Sequence, residues 1–317
     1  LFSISSDTKK MLKKLDSDIT IYVMAPKTSA DSTIKKTLER YQSTSKHIKV
    51  EYKDTTLYPN FYQKYTDAAP TSNSLIVVNE KTSKSKVVDY NDIYVYNKDG
   101  FKIAILNYTY GTNGIAIPAS KPYIVNMLDV DKITQDVTKA KEIADMVVVC
   151  PHWGTEYVYE PDSNQKYWTN LFLKLGVDVV IGAHPHVMEP VETLTRDDGH
   201  QMVVYYSLGN FVSNQDKMPR MLGGMAKVTL VKSGTDNSCY VKQYSYTPIV
   251  TQKLFGTSLI TSYKLSDYND TLASENAIRK DSGNSEFSLS YCQELCKLVF
   301  GDSYDESSKM VYVKLRD

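Results

Sequence analysis

Three short, almost wholly apolar runs constrain this chain most: residues 146–150, 177–181 and 202–207. Each has strand length, and helical spacing lies before the first and between the first two. Ile133, Val137, Ala140 and Ala144 recur at a helical period, with Asp131 as candidate cap. A second helix runs from a cap at Asp162 or Ser163 through Leu175, and Gly176 stops it. Continuous apolar strands alternating with amphipathic helices predict an α/β fold whose sheet is buried on both faces.

All three runs end in residues that make sites. Cys150 leads to Pro151-His152-Trp153-Gly154-Thr155-Glu156, Ile181 to Gly182-Ala183-His184-Pro185-His186-Val187, and Tyr206 to Ser207-Leu208-Gly209-Asn210-Phe211. Open α/β sheets bind ligands outside the carboxyl ends of their strands. Three of the chain's five histidines fall at two of these ends. Pro185 pushes His184 toward extended backbone, and i and i+2 of an extended segment face one side. His184 and His186 are therefore expected to share a pocket with His152 and to hold a metal or a phosphate. Neutral imidazole suits manganese, zinc or iron; solvated loop histidines are the competing reading. Glu156 orients His152 or is a solvated acid, and Asn210 touches a ligand or forms a turn after Gly209. Trp153 and Trp168 read as packing residues, Glu189 and Glu192 beside Pro190 as solvated acids.

The first hundred residues read as a smaller α/β unit. Helix 5–15, strand 18–24, a helix with Ile34, Leu38 and Tyr41 on one face, and strand 48–52 make a βαβ unit with parallel strands. Strands 74–78 and 85–90 complete its sheet. His47 reads as a solvated residue capping a helix end. At residues 97–100 the character changes, and the domains are placed at 1–98 and 99–317. Beyond residue 232 the pattern weakens to an edge strand over 239–246 and an amphipathic helix over 287–300.

Composition narrows the partners. Lys plus Arg and Asp plus Glu are 37 each, a formal charge of zero, which argues against a nucleic-acid binder. No apolar run approaches the ~18–20 residues of a membrane span, and no leader follows Leu1, so this stretch is expected to be soluble. The four cysteines form no CxxC pair and are expected to be unpaired, Cys150 as an inert buried thiol. With 25 tyrosines among many polar residues, the composition leans toward an extracytoplasmic bacterial protein.

Two resemblances rest on motifs. Ile19-Thr20-Ile21-Tyr22-Val23, the helix from Ile34 to Tyr41 and Ser72-Asn73-Ser74-Leu75-Ile76-Val77-Val78 resemble the extracytoplasmic domain of GldG-type ABC-transporter auxiliary proteins. That resemblance implies a thioredoxin-like fold and a binding or scaffold role in an ABC export system. The strand-end motifs, with Asn107-Tyr108-Thr109-Tyr110-Gly111-Thr112-Asn113-Gly114, are similar to the CapA family of bacterial capsule proteins, which serves poly-γ-glutamate synthesis. This implies part of a calcineurin-like metallophosphatase α/β sandwich. His152, His184 and His186 would sit at a divalent metal (Mn, Zn or Fe), and Asn113, Asn210 and Glu156 would line the substrate pocket. The implied partners are an anionic polymer or a phosphate-containing small molecule, and a membrane transport or capsule-assembly complex. The implied location is extracytoplasmic, with a membrane anchor in the full-length protein.

The family's first half carries Gly-Asp, Asn-Leu-Glu and Asn-Asn-His motifs, and none precedes Gly100. A two-metal hydrolase needs a bridging carboxylate. The site is therefore expected to be an incomplete hydrolase site, unless an acid such as Asp89 or Asp92 reaches it.

Overall fold

The computed structural model describes residues 6–88, 94–98, 101–119, 124–234 and 238–316. The chain forms two compact units, Leu1–Asp92 and Ile93–Asp317.

In the first unit, α1 (Ser6–Lys13), β1 (Ile19–Val23), α2 (Ser32–Thr44), β2 (Ile48–Tyr52), β3 (Leu75–Asn79) and β4 (Ser85–Val88) follow in order. The sheet runs β2-β1-β3-β4, with β1 and β2 parallel and the other pairings antiparallel. This is the βαβ-then-hairpin arrangement expected of a thioredoxin-like unit. Leu12 of α1 and Leu38 of α2 pack with Ile21 and Val23 over one face; Ile76 and Val78 pack with Met24 on the other. His47 does not cap a helix: its Nδ1 lies 2.7 Å from Asp18 Oδ1, and its carbonyl accepts from Ile19 N–H.

The second unit is a layered α/β sandwich. It opens with β5 (Tyr94–Lys98), β6 (Phe101–Thr109), α3 (Val130–Ile143), β7 (Met146–His152), α4 (Ser163–Leu175), β8 (Val179–Ile181), β9 (Val191–Thr195) and β10 (Gln201–Tyr205). Its six-stranded sheet runs β5-β6-β7-β8-β10-β9, with four parallel inner strands and antiparallel strands at both edges. The boundary expected at residue 98 falls earlier because Tyr94–Lys98 pairs with β6. Met202, Val203, Val204 and Tyr205 are all buried, which is why β10 reads as a continuous apolar run.

On one face, Ile133, Val137 and Ala140 of α3 and Phe172 of α4 pack against Val147, Val149 and Val180. α3 is capped by Asp129, which accepts from Lys132 N–H, and not by the expected Asp131. Asp162 caps α4 in a reciprocal box with Gln165, and Gly176 ends it at φ 77°. Asp162→Ala is expected to cost about 1 kcal/mol, read as a lower urea midpoint.

The other face meets a second sheet built from β11 (Leu222–Lys232), β12 (Cys239–Lys253) and β13 (Ile260–Lys264). After α5 (Asp270–Ser274) and α6 (Leu289–Phe300), β14 (Tyr304–Asp305) and β15 (Met310–Lys314) complete it. Tyr205, Tyr244, Tyr246 and Val250 join Cys292, Leu295, Cys296 and Val299 of α6 in the core between the layers. The edge strand expected over 239–246 is the middle of this sheet: β12 has 15 residues and pairs with β11 on one side and with β15 and β13 on the other. None of the four cysteines is in a disulfide, and Cys150 is half-buried. Burial raises the pKa of Cys150, so it stays a thiol.

Candidate functional site at the carboxyl ends of the strands

His152 is the last residue of β7, and the strand-end register is extended by a parallel bridge to Ala183. That bridge sets the loop after β8 beside the loop after β7. His184 Nδ1 lies 3.1 Å from His152 Nε2, and the ring centroids are 4.7 Å apart. His186 stands 6.4 Å from His184, centroid to centroid. The three rings converge as the sequence predicts, though not by the predicted route. His184 has φ 115° and His186 φ 60°, so the loop is not extended. Two non-glycine residues at positive φ are strained, and the surrounding structure must hold them there.

Asn210 supplies part of that hold. Its Nδ2 donates to the carbonyls of His186 (3.1 Å) and Arg220 (3.0 Å), which turns Oδ1 toward His186 Nδ1 at 2.9 Å. In the neutral ring that nitrogen must carry the proton, leaving the Nε2 lone pair free. A ligating histidine commonly has its second nitrogen fixed in this way. Asn210 thus positions His186, a closer role than lining a pocket.

Glu156 is exposed, and its Oε1 lies 4.0 Å from His186 Nε2. It stands beside His186 and not, as one reading of the sequence had it, as the orienting partner of His152. Asn113, at φ 52°, accepts from Tyr110 O–H at 3.1 Å. Tyr110 in turn lies 4.6 Å from the His184 ring and stacks on His152 at 6.1 Å. Asn113 therefore reaches the cluster through Tyr110. Asp89 and Asp92 lie outside the described residues.

Burial, and then the neighbouring imidazoles, lower the proton affinity of His152. For His184 burial is again the main cause, with His186 adding to it and Glu156 opposing. Both shifts favour the neutral ring, the form in which an imidazole can ligate. Three imidazoles and one carboxylate are a donor set that suits a single divalent ion of the zinc or manganese kind. Among the described residues no three His, Cys, Asp or Glu side chains already stand as a metal-holding group. None supplies the bridging carboxylate of a two-metal centre. The set fits one ion in its chemistry and does not fit two.

Two residues around the site were given no role in the sequence reading. Tyr157 stacks on His186 at 6.0 Å and carries the Arg220 guanidinium 3.6 Å over its ring. Tyr157 closes the motif that begins at His152, a signal that could have flagged it, whereas Arg220 has no local signal. Trp153 is a packing residue as expected: it is buried, and its Nε1–H donates to the Tyr206 carbonyl at 2.9 Å. Trp168 packs against the α3–α4 core. Glu192 is exposed, as read. Glu189 is not: it is fully buried, and Oε2 accepts from Gln165 Nε2 at 2.6 Å.

Residues 84–215 match the family model described as bacterial capsule synthesis protein PGA_cap, and residues 1–96 match a domain of unknown function, DUF7088. The chain is similar to the PGA biosynthesis protein CapA of Bacillus subtilis (strain 168), at 33% identity over 138 residues. That match covers 43% of this chain and 35% of the relative. The capsule biosynthesis protein CapA of Bacillus anthracis is 31% identical over 131 residues, 40% of this chain and 31% of the relative. The chain thus spans about a third of the curated relatives it matches. Two solved structures also align: a 5′-nucleotidase precursor from Thermus thermophilus (13% identity, TM-score 0.31, 65% of this chain and 33% of that one) and a putative 5′-nucleotidase from Staphylococcus aureus (14%, 0.31, 63% and 34%).

Proposed function

We propose that this chain, whose residues 84–215 match the model of the bacterial capsule synthesis family, is a CapA-type capsule-polymer biosynthesis protein that works as a metal-dependent binding module. The observation that carries this reading is the convergence of His152, His184 and His186 from two strand-end loops. The ion would be held by these three rings, with Glu156 as the nearby carboxylate, and it would supply positive charge for an anionic group. Asn210 holds the His186 tautomer, Tyr110 packs beside the His184 ring, and Tyr157 stacks on His186.

The ligand in this reading is an anionic polymer or a phosphate-bearing small molecule, and the place of action is extracytoplasmic. Among the described residues no helix is long and apolar enough to cross a membrane. Hydrolysis is not expected. Without a bridging carboxylate, the described residues leave nothing to activate a water between two ions. The purified chain is expected to show negligible metal-dependent turnover of bis-p-nitrophenyl phosphate; turnover that vanishes in His152→Ala would contradict this.

Thermal unfolding with added Mn²⁺ or Zn²⁺ tests the binding reading. At a hundredfold excess over Kd, one site stabilises the folded state by about 2.7 kcal/mol, a rise of several degrees in Tm. That rise should survive His47→Ala and disappear in His184→Ala/His186→Ala. An equal rise in the double variant would overturn the assignment.

A further inference from the structure

We propose that Gln165 is a positioning residue for the histidine cluster: from the first turn of α4, its side-chain amide fastens both histidine-bearing loops and so sets how tightly they hold an ion. This inference rests on the metal-binding reading and adds to it a residue that touches no ion. Gln165 is fully buried, although glutamine is ordinarily solvated. Its Oε1 accepts from Asp162 N–H at 2.9 Å, and its Nε2 donates to Glu189 Oε2 at 2.6 Å. Capping of the helix accounts for the first bond alone. The second reaches 24 residues along the chain, to the end of the loop that carries His184 and His186.

The other loop is held from the same turn. Asp162 accepts from Gln165 N–H through Oδ1 at 2.8 Å and from Thr155 O–H through Oδ2 at 2.7 Å. Thr155 stands between His152 and Glu156 in the chain. Gly154, at φ 90°, lies so close to the Gln165 amide that a Cβ there would stand 2.7 Å from Cδ. The amide is therefore packed against one loop and hydrogen-bonded to the other.

Direct bonds between the loops do not make this tie redundant. Trp153 N–H donates to the Ala183 carbonyl and Tyr157 N–H to that of Pro185, on either side of His184. His186 lies beyond both, at a strained φ of 60° that its surroundings must fix. Past it the chain is tied to the end of β10, where Ser207 O–H donates to the Val187 carbonyl, and to α4 through Glu189. The tie through Gln165 also reaches the His152 loop, so it governs the spacing of His186 from His152 and Glu156. A shift of about 0.5 Å is enough to spoil a ligand constellation. Groups that orient ligating side chains are accordingly worth about 10–100-fold in metal affinity.

Titration of the full chain with Zn²⁺ by calorimetry, and with Co²⁺ by visible spectrum, tests this. Gln165→Met keeps the side-chain length and removes both hydrogen bonds. It is expected to weaken Zn²⁺ binding about tenfold or more and to alter the Co²⁺ spectrum. The exchange Gln165→Glu/Glu189→Gln lets position 189 donate to position 165, and should restore affinity to within about threefold of wild type. Gln252→Met is the control for lost stability, because Gln252 is equally buried and bonded to Tyr268 O–H and the Leu272 carbonyl. It should lower Tm as Gln165→Met does and leave affinity within about twofold. Should Gln165→Met fail to fold, Thr155→Val, at an exposed position, cuts the tie to the His152 loop and should weaken binding about threefold or more. Wild-type affinity in the folded variants that cut the ties, no restoration in the exchange variant, or equal weakening in Gln252→Met would each overturn the inference and leave the histidine assignment standing. A wild type that takes up no metal would overturn both.

Discussion

Gly182→Ala is expected to destabilise the second unit by roughly 3 kcal/mol or more and to lower its urea midpoint by at least about 1 M. Gly182 follows β8 directly and precedes Ala183 and His184. A Cβ built there would stand 1.9 Å from the Tyr206 carbonyl oxygen and 2.5 Å from Trp153 Nε1. Those two atoms are joined by the hydrogen bond that ties the β7 loop to the end of β10. The added methyl group must break that bond or push apart backbone that is paired on both sides. Gly182 N–H donates to Tyr205 and its carbonyl accepts from Leu208 N–H, so the backbone has little room to yield. The histidine loop would be displaced with it. Gly111→Ala is the matched control, because nothing lies within 4 Å of its Cβ position and its φ is ordinary. It should fall within about 0.5 kcal/mol of wild type. Equal midpoints for the two variants would show that the close approach at Gly182 does not hold in solution.

Glu189→Gln is expected to stabilise the protein at alkaline pH and to change little near pH 5. Burial raises the Glu189 carboxyl to about 8, and Asp162 and Glu160 add to the shift while the Gln165 amide opposes it. Oε1 has no hydrogen-bond partner, which suits a neutral acid better than a carboxylate. The folded state therefore binds the proton more tightly than the unfolded chain does. The contribution to stability is complete below the ordinary value of 4.5 and is lost as pH rises through 8. At about 1.4 kcal/mol per pH unit the loss amounts to several kcal/mol by pH 9. Glutamine has the shape of the protonated acid and no proton to lose. The two proteins should unfold at similar urea concentrations below about pH 5, diverge steadily as the pH rises from there to 8, and keep a constant difference above it. Parallel pH profiles would contradict the buried placement of this carboxyl.

Glu189 also marks where sequence reasoning stops. A glutamate beside a proline reads as surface, and only the packing of α4, through Gln165, encloses it. The histidine cluster was legible for the opposite reason: its signal is local. An apolar run that stops at histidine identifies both the strand and the end at which a site forms. The backbone that brings the rings together was not legible, because Pro185 suggests extended geometry while tertiary contacts hold His184 and His186 at positive φ. The second sheet escaped for a related reason. β11 begins Leu222-Gly223-Gly224, a poor strand signal, yet Gly223 is needed where a Cβ would meet the Asn210 carbonyl oxygen at 2.1 Å. β12 was visible only in its first half, where polar and apolar residues alternate; its second half is buried along both faces.

Ion binding by the three histidines is tested most directly by elemental analysis of the purified protein after Mn²⁺ or Zn²⁺ loading and exhaustive dialysis. One equivalent of metal per chain is expected in the wild type, and less than about a tenth in His184→Ala/His186→Ala. A wild type that retains no metal, or a double variant that retains as much, would contradict it.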